Sequence, residues 1–178
     1  MRVILGVDPG LNVTGYGVID ISTGKVRLLE AGVVKSRDGE LASKIKDIYD
    51  GVREVIDMFS PEVLAMEKLY THYDRPTTAI LMGHARGCIC LAAAQSGIDV
   101  VSYEATKVKK LLTGSGRATK DQVQRAIKLE LGLDQYPDPP DVADAIALAL
   151  CHRYHGKINV NDISAGIRGH FPGDTVLR

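Results

Sequence analysis

Val3-Ile4-Leu5-Gly6-Val7-Asp8-Pro9-Gly10, close to the amino terminus, is a short β-branched run halted by a turn former. Apolar residues without polar alternation read as a strand buried on both faces, and Asp-Pro-Gly then reverses the chain. Asp8 is thereby delivered at the carboxyl end of a strand. Downstream, Thr14 to Ile21, a Ser22-Thr23-Gly24 turn and Val26 to Val34 continue as strands, so an antiparallel meander of three is expected. The start Met1 to Gly10 reaches an acidic residue too soon for a signal peptide, which implies the cytosol.

Beyond the meander the apolar period changes from two to three or four. Leu41, Ile45, Ile48, Val52, Val55, Ile56 and Phe59 mark a helix between Asp38 and Phe59, closed by Ser60-Pro61. Val63-Leu64-Ala65-Met66 is a second buried strand, and it hands over to Glu67 and a polar loop through Tyr70, His72, Tyr73, Asp74, Arg75 and Pro76. A small-residue helix from Thr77 to Ser96 and a fifth strand from Ile98 to Ser102 follow. Then come a short helix from Ala105 to Leu112, a Thr113-Gly114-Ser115-Gly116 loop, and a helix from Thr119 to Leu131 with Thr119 as its cap. Tyr136-Pro137-Asp138-Pro139-Pro140 is read as non-helical, and Asp141 opens an alanine- and leucine-rich helix through His155.

These elements describe an α/β fold, a five-stranded mixed sheet of an antiparallel meander plus parallel crossovers, flanked by helices. One domain over residues 1–155 is expected, with residues 156–178 as a loosely ordered tail. No apolar run is read as approaching the roughly 20 residues that span a bilayer. The three cysteines, an odd number without CxxC spacing, argue against a disulfide framework or a zinc site, and are read as small buried apolar side chains.

Net charge is zero, 22 basic against 22 acidic residues, so any surface for a polyanion must be local. Such a surface is legible between Lys107 and Lys128, where Lys107, Lys109, Lys110, Arg117, Lys120, Arg125 and Lys128 face only Asp121. A lysine run is commonly a solvated helix face, but seven bases flanking a Gly-Ser-Gly loop fit contact with phosphates better.

The chemistry concentrates in four acids. Asp8 and Glu67 each end a strand, and ligand sites in open α/β sheets gather outside those ends. Asp141 and Asp144, spaced i,i+3, share one face at the start of a helix. Each acid has a structural reading as well: Asp8 as a turn former, Glu67 as a solvated strand end, Asp141 as a cap. Asp144, inside an otherwise apolar helix, would be buried unpaired unless a cation lay nearby. Four converging carboxylates repel one another, so the arrangement calls for cations, and oxygen ligands without a Cys/His cluster favour Mg²⁺ or Mn²⁺. Two such ions suit hydrolysis of a phosphodiester. His152 and His155, also i,i+3, lack a third ligand, so pairing with the helix end is preferred to a metal site.

Four segments resemble one family. Ile4-Leu5-Gly6-Val7-Asp8-Pro9-Gly10 with Thr14-Gly15-Tyr16-Gly17, then Met66-Glu67-Lys68, Ala85-Arg86-Gly87 and Asp141-Val142-Ala143-Asp144-Ala145 are similar to motifs of RuvC-type Holliday junction resolvases, in the same order and over residues 2 to 155. The resemblance implies a ribonuclease H-like fold and a Mg²⁺-dependent endonuclease that makes paired cuts in four-way DNA junctions, with Mn²⁺ able to substitute. It implies that Asp8, Glu67, Asp141 and Asp144 are the catalytic, metal-binding acids. It places Lys109 and Lys120 where the family carries bases that meet junction phosphates, with Lys110 and Arg117 beside them, and Tyr70 where an aromatic stacks at the crossover. A homodimer and branch-migration partners are implied too, and the small-residue helix at Ala85 to Ala94 is the candidate interface, against packing on the protein's own sheet. His84 stands where the family leads one to expect glutamine, and His72, Tyr73 and Arg75 make the loop after Glu67 unusual.

Two other activities share parts of this pattern. A ribonuclease H acting on RNA–DNA hybrids would use the same acids, whereas the basic segment fits junctions better. An actin-like ATP-dependent kinase also begins with an Asp-x-Gly turn, but needs two related domains where 178 residues supply one.

Overall fold

The structure, a computed structural model, describes residues 2–69 and 76–158. Ten elements follow in chain order: β1 (Val3–Asp8), β2 (Val13–Asp20), β3 (Arg27–Lys35), α1 (Leu41–Phe59), β4 (Val63–Glu67), α2 (Pro76–Gln95), β5 (Asp99–Tyr103), α3 (Ala105–Thr113), α4 (Lys120–Leu131) and α5 (Pro140–Ile158). The sheet order is β3-β2-β1-β4-β5, with β1, β2 and β3 antiparallel and β4 and β5 joined parallel to β1. This is the five-stranded mixed sheet expected from the pattern of periods.

Both faces of the sheet are covered, which explains why β1 and β4 show no polar alternation. On one face Ile4, Ile19, Val63 and Ala65 pack under α5, with α3 and α4 outside it. On the other, Val3, Leu5, Val7, Leu64 and Met66 pack against α1 and α2 through Ile48, Val52, Ile56, Ala85, Ile89 and Ala92. The period of two therefore assigns Ile4, Gly6 and Asp8, and likewise Val63, Ala65 and Glu67, to the α5 face.

Four expectations need correction. Pro140 is the first residue of α5 rather than part of a non-helical run, since a proline at the first helical position gives up only a backbone donor that has no partner there. The helix also runs on to Ile158, so a tail beginning at residue 156 starts too early, and the remainder, 159–178, lies outside the described residues. Thr77–Gln95 of α2 is long and apolar enough to cross a membrane by length and composition, contrary to the reading that no run was. Polar Thr77, Thr78, His84, Arg86 and Gln95 interrupt the run without lowering its average hydropathy enough, and Ala85, Ile89, Ala92 and Ala93 are core residues here. Finally, His152 has a partner that the helix-end reading did not include: its Nδ1 lies 2.8 Å from the Tyr103 hydroxyl.

Elsewhere local readings hold. Thr119 caps α4 in a full capping box with Gln122. Cys88 and Cys151 are free and buried, and Cys90 is half-buried.

Candidate active site

Register brings the first two acids together. β1 and β4 run parallel with Val7 opposite Met66, so Asp8 and Glu67 leave neighbouring strands at the same level and on the same face. Behind Asp8, the buried Thr14 hydroxyl donates to the Gly10 carbonyl at 2.8 Å and accepts from the Gly10 amide at 3.3 Å, closing the Asp-Pro-Gly turn.

The second pair arrives on α5, and glycine decides how close it comes. A Cβ on Gly6 would sit 2.0 Å from the Ala145 carbonyl oxygen, one on Gly15 2.1 Å from the Asp141 carbonyl oxygen, and one on Gly17 2.6 Å from the Ile146 side chain. At these three positions the backbone of α5 thus rests directly on β1 and β2, leaving no room there for a side chain. Gly15 pairs with Asp8 across β1 and β2, so the seat of the helix start is the immediate neighbour of the first acid. Sequence reasoning quoted these glycines without seeing this function. A glycine inside a strand pattern was the signal.

Asp8, Glu67 and Asp144 line one cavity of about 330 Å³ together with Lys109, Lys120, Ala105, Val108, Val123, Ala147 and Leu148. At roughly 30 Å³ per water, that is room for a phosphate group and hydrated ions. Asp141 is not in the lining, but its charge acts on both Asp8 and Asp144. Burial, then Asp144, Glu67 and Asp141, raise the Asp8 carboxyl from 3.8 to about 7. Glu67 is raised by burial and by Asp144. Asp144 is raised by burial, partly countered by Lys120, whose Nζ lies 3.8 Å from its Oδ2. The expected cation near Asp144 is therefore Lys120, held at the first residue of α4 by the Thr119 capping box.

Such a donor set suits a hard divalent cation: oxygen ligands only, on three elements, with mutual repulsion that a cation would relieve. Among the described residues, no three His, Cys, Asp or Glu side chains are placed to hold a metal ion together as they stand, so Asp8, Glu67 and Asp144 share a cavity without forming a ready-made coordination sphere. Of the expected basic contacts, Lys109 and Lys120 reach the cavity, while Lys110 and Arg117 are exposed outside it. Tyr70 lies outside the described residues.

On α2 the alanines at 85, 92 and 93 are buried in the protein's own core, so packing on the sheet accounts for them. The outward face is another matter. Ile80 is 61% and Leu91 51% exposed, and with Ile45, Gly83, His84, Gly87 and Cys88 they line an open, largely apolar groove.

Comparison with known proteins agrees with this geometry. The family model described as crossover junction endodeoxyribonuclease RuvC matches residues 4–152. A crossover junction endodeoxyribonuclease RuvC of Rhodopirellula baltica is 53% identical over 152 residues, 85% of each chain. One of Azoarcus is 43% identical over 154 residues, 86% of this chain and 83% of the relative. Among solved structures, T. thermophilus RuvC in complex with a Holliday junction substrate superposes with a TM-score of 0.84 at 33% identity, covering 89% of this chain and 97% of that one. The yeast mitochondrial resolvase Ydc2, with a TM-score of 0.61 at 13% identity, shares the fold. A sheet carrying Asp8 and Glu67, a glycine-seated helix carrying Asp141 and Asp144, and this breadth of similarity place the chain in the RuvC family of crossover junction endodeoxyribonucleases.

Proposed function

We propose that the chain resolves Holliday junctions as a homodimer, hydrolysing one phosphodiester in each of two opposed strands with Mg²⁺ as its ion. The observation that carries the reading is one cavity into which three separate elements deliver Asp8, Glu67 and Asp144, beside two lysines. When bound, Mg²⁺ would polarise the scissile phosphate and an attacking water.

Asp8, Glu67 and Asp144 are the groups that would hold the ions, with Asp141 adding negative charge at the rim. Because Asp8 keeps its proton up to about pH 7, ion binding below that pH displaces a proton from its carboxyl. Lys109 and Lys120 project into the cavity, where they meet a phosphate entering from solvent and orient it towards the acids. Lys110 and Arg117, exposed on α3 and the loop after it, extend that positive surface along the DNA backbone. Tyr70 is assigned to stacking at the crossover on resemblance alone.

The apolar outer face of α2 is the surface on which two copies would pair, since Ile80 and Leu91 stand exposed around an open groove. A two-fold dimer presents two equivalent cavities to the two equivalent strands of a four-way junction. Such a substrate puts the chain in the cytoplasm, working with the machinery that moves junctions.

Labelled four-way junctions, matched duplexes and RNA–DNA hybrids, each with and without Mg²⁺, test the reading when nicks are mapped on every strand. Symmetric paired nicks confined to junctions and dependent on Mg²⁺ are expected. Hybrids cut faster than junctions would overturn it in favour of a ribonuclease H activity.

A further inference from the structure

We propose that Arg86 is a positioning residue for Glu67: from behind the sheet it clamps the end of β4, so that the Glu67 carboxylate stays in the cavity with Asp8 and Asp144. The inference rests on the metal-binding role of Glu67 proposed above.

Arg86 lies on α2, which packs on the opposite face of the sheet from the cavity. One guanidinium nitrogen donates to the backbone carbonyl of Glu67, and the other donates to the Ser102 hydroxyl at 3.1 Å. Ser102 is the β5 partner of Met66, one residue before Glu67, so the fork bridges the carboxyl ends of β4 and β5 from one side. The Lys68 amide donates to the Tyr103 carbonyl at 2.8 Å just beyond. Glu67 is therefore fixed at its own carbonyl and at the following amide, precisely where a strand otherwise frays into the polar loop after Lys68.

The charge of Arg86 also reaches the carboxylate, which it helps to keep ionised against burial and the neighbouring Asp144. A planar fork with several donors can hold a carbonyl and a hydroxyl at once, whereas lysine offers a single point charge on a flexible stem. Arg86 does not line the cavity, so it touches neither the ions nor the phosphate and acts through Glu67 alone. Groups that orient metal ligands commonly contribute about 10–100-fold to metal affinity.

The test compares the full-length wild type with Arg86→Ala, Arg86→Lys and Ser102→Ala. Mg²⁺ affinity is measured by calorimetry without DNA, and junction cutting is followed across a Mg²⁺ titration. Arg86→Ala should weaken Mg²⁺ binding by about 10-fold or more. Its cutting rate should return to near wild type at saturating Mg²⁺, with junction affinity in the absence of metal unchanged. Arg86→Lys should fall between, and Ser102→Ala should lose about two- to threefold. A folded Arg86→Ala that binds Mg²⁺ as the wild type does overturns the proposal. If Arg86→Ala does not fold, Arg86→Lys decides, and wild-type affinity there overturns it equally. Wild-type protein that binds no Mg²⁺ sinks the assignment of the site and this inference together, whereas normal wild-type binding with unaffected variants sinks this inference alone.

Discussion

Helices α2 and α5 look alike as sequence, both rich in alanine and small apolar residues with little amphipathic period, yet they occupy opposite situations. α5 is enclosed by the sheet beneath and by α3 and α4 outside, and from Val142 to Cys151 Asp144 is its one residue that is not buried. α2 is covered on one side only, by the sheet and α1, and leaves Ile80 and Leu91 in solvent. A helix that is apolar all round belongs in an interior. A polar residue inside an enclosed helix is the ground for the role proposed for Asp144, and a bare face on a half-covered helix is the ground for the pairing surface proposed for α2.

The largest effect that could break this contrast lies on α5. Asp144→Asn or Asp8→Asn should lower junction cutting by at least about 10³-fold, because each removes the charge of a proposed ion ligand while keeping its shape. Junction affinity measured without metal should change by less than a few fold, since phosphate contacts reside in other side chains. A variant that cuts at the wild-type rate removes that acid from the chemistry.

Next comes the seat of α5. Gly15→Ala puts a methyl group about 2 Å from the Asp141 carbonyl oxygen, so the helix start must shift away from Asp8. A displacement on the order of 1 Å at a reacting centre costs roughly 100-fold in rate, and overpacking costs about 1–3 kcal/mol in stability. Rate and thermal unfolding measured together check it, and an unchanged rate would mean that the close approach does not set the site.

On α2 the expected change is in assembly rather than chemistry. Leu91→Glu should weaken self-association by roughly 30-fold, equivalent to about 2 kcal/mol, seen by sedimentation as a shift to monomer. It should uncouple the two nicks while leaving Mg²⁺ affinity intact. Dimers of undiminished strength would show that the bare face has another partner.

Smaller effects sharpen the picture of the cavity. Lys120→Ala should lower the slope of log affinity against log salt by about one, the loss of a single phosphate contact. Asp8 also sets a pH dependence whose sign is fixed. Its carboxyl is raised from 3.8 to about 7 in the folded protein, so between those values the folded state holds a proton that the unfolded chain has released. Stability of the metal-free protein therefore declines as pH rises from about 4 to about 7, and the penalty is complete above that. Asp8→Asn, which carries no charge, should be more stable than wild type at pH 8 by roughly 1–3 kcal/mol and no more stable at pH 4. Thermal melts at the two pH values without metal would expose an error of sign directly.

Much of this was legible in the sequence because it is written in local periods. The run ending at Asp8, the run ending at Glu67 and the i,i+3 pair at Asp141 and Asp144 are each short-range patterns, and Thr119 announced its cap. What stayed hidden depends on which faces meet. That Gly6, Gly15 and Gly17 form one seat requires the register of β1 with β2, which pairs Gly6 with Gly17 and Asp8 with Gly15. That Arg86 holds Glu67 requires α2 to lie on the far face. The two sides of α2 could not be told apart because its period is faint, and Pro140 misled because its use at a first helical position depends on where the helix begins.

Anomalous scattering from crystals grown or soaked in Mn²⁺ tests the central claim most directly. Peaks between the carboxylates of Asp8, Glu67 and Asp144, within about 2.0–2.4 Å of their oxygens, are the predicted result. Crystals of cleavage-competent protein whose Mn²⁺ sits elsewhere, with these three side chains making no contact to it, would contradict it.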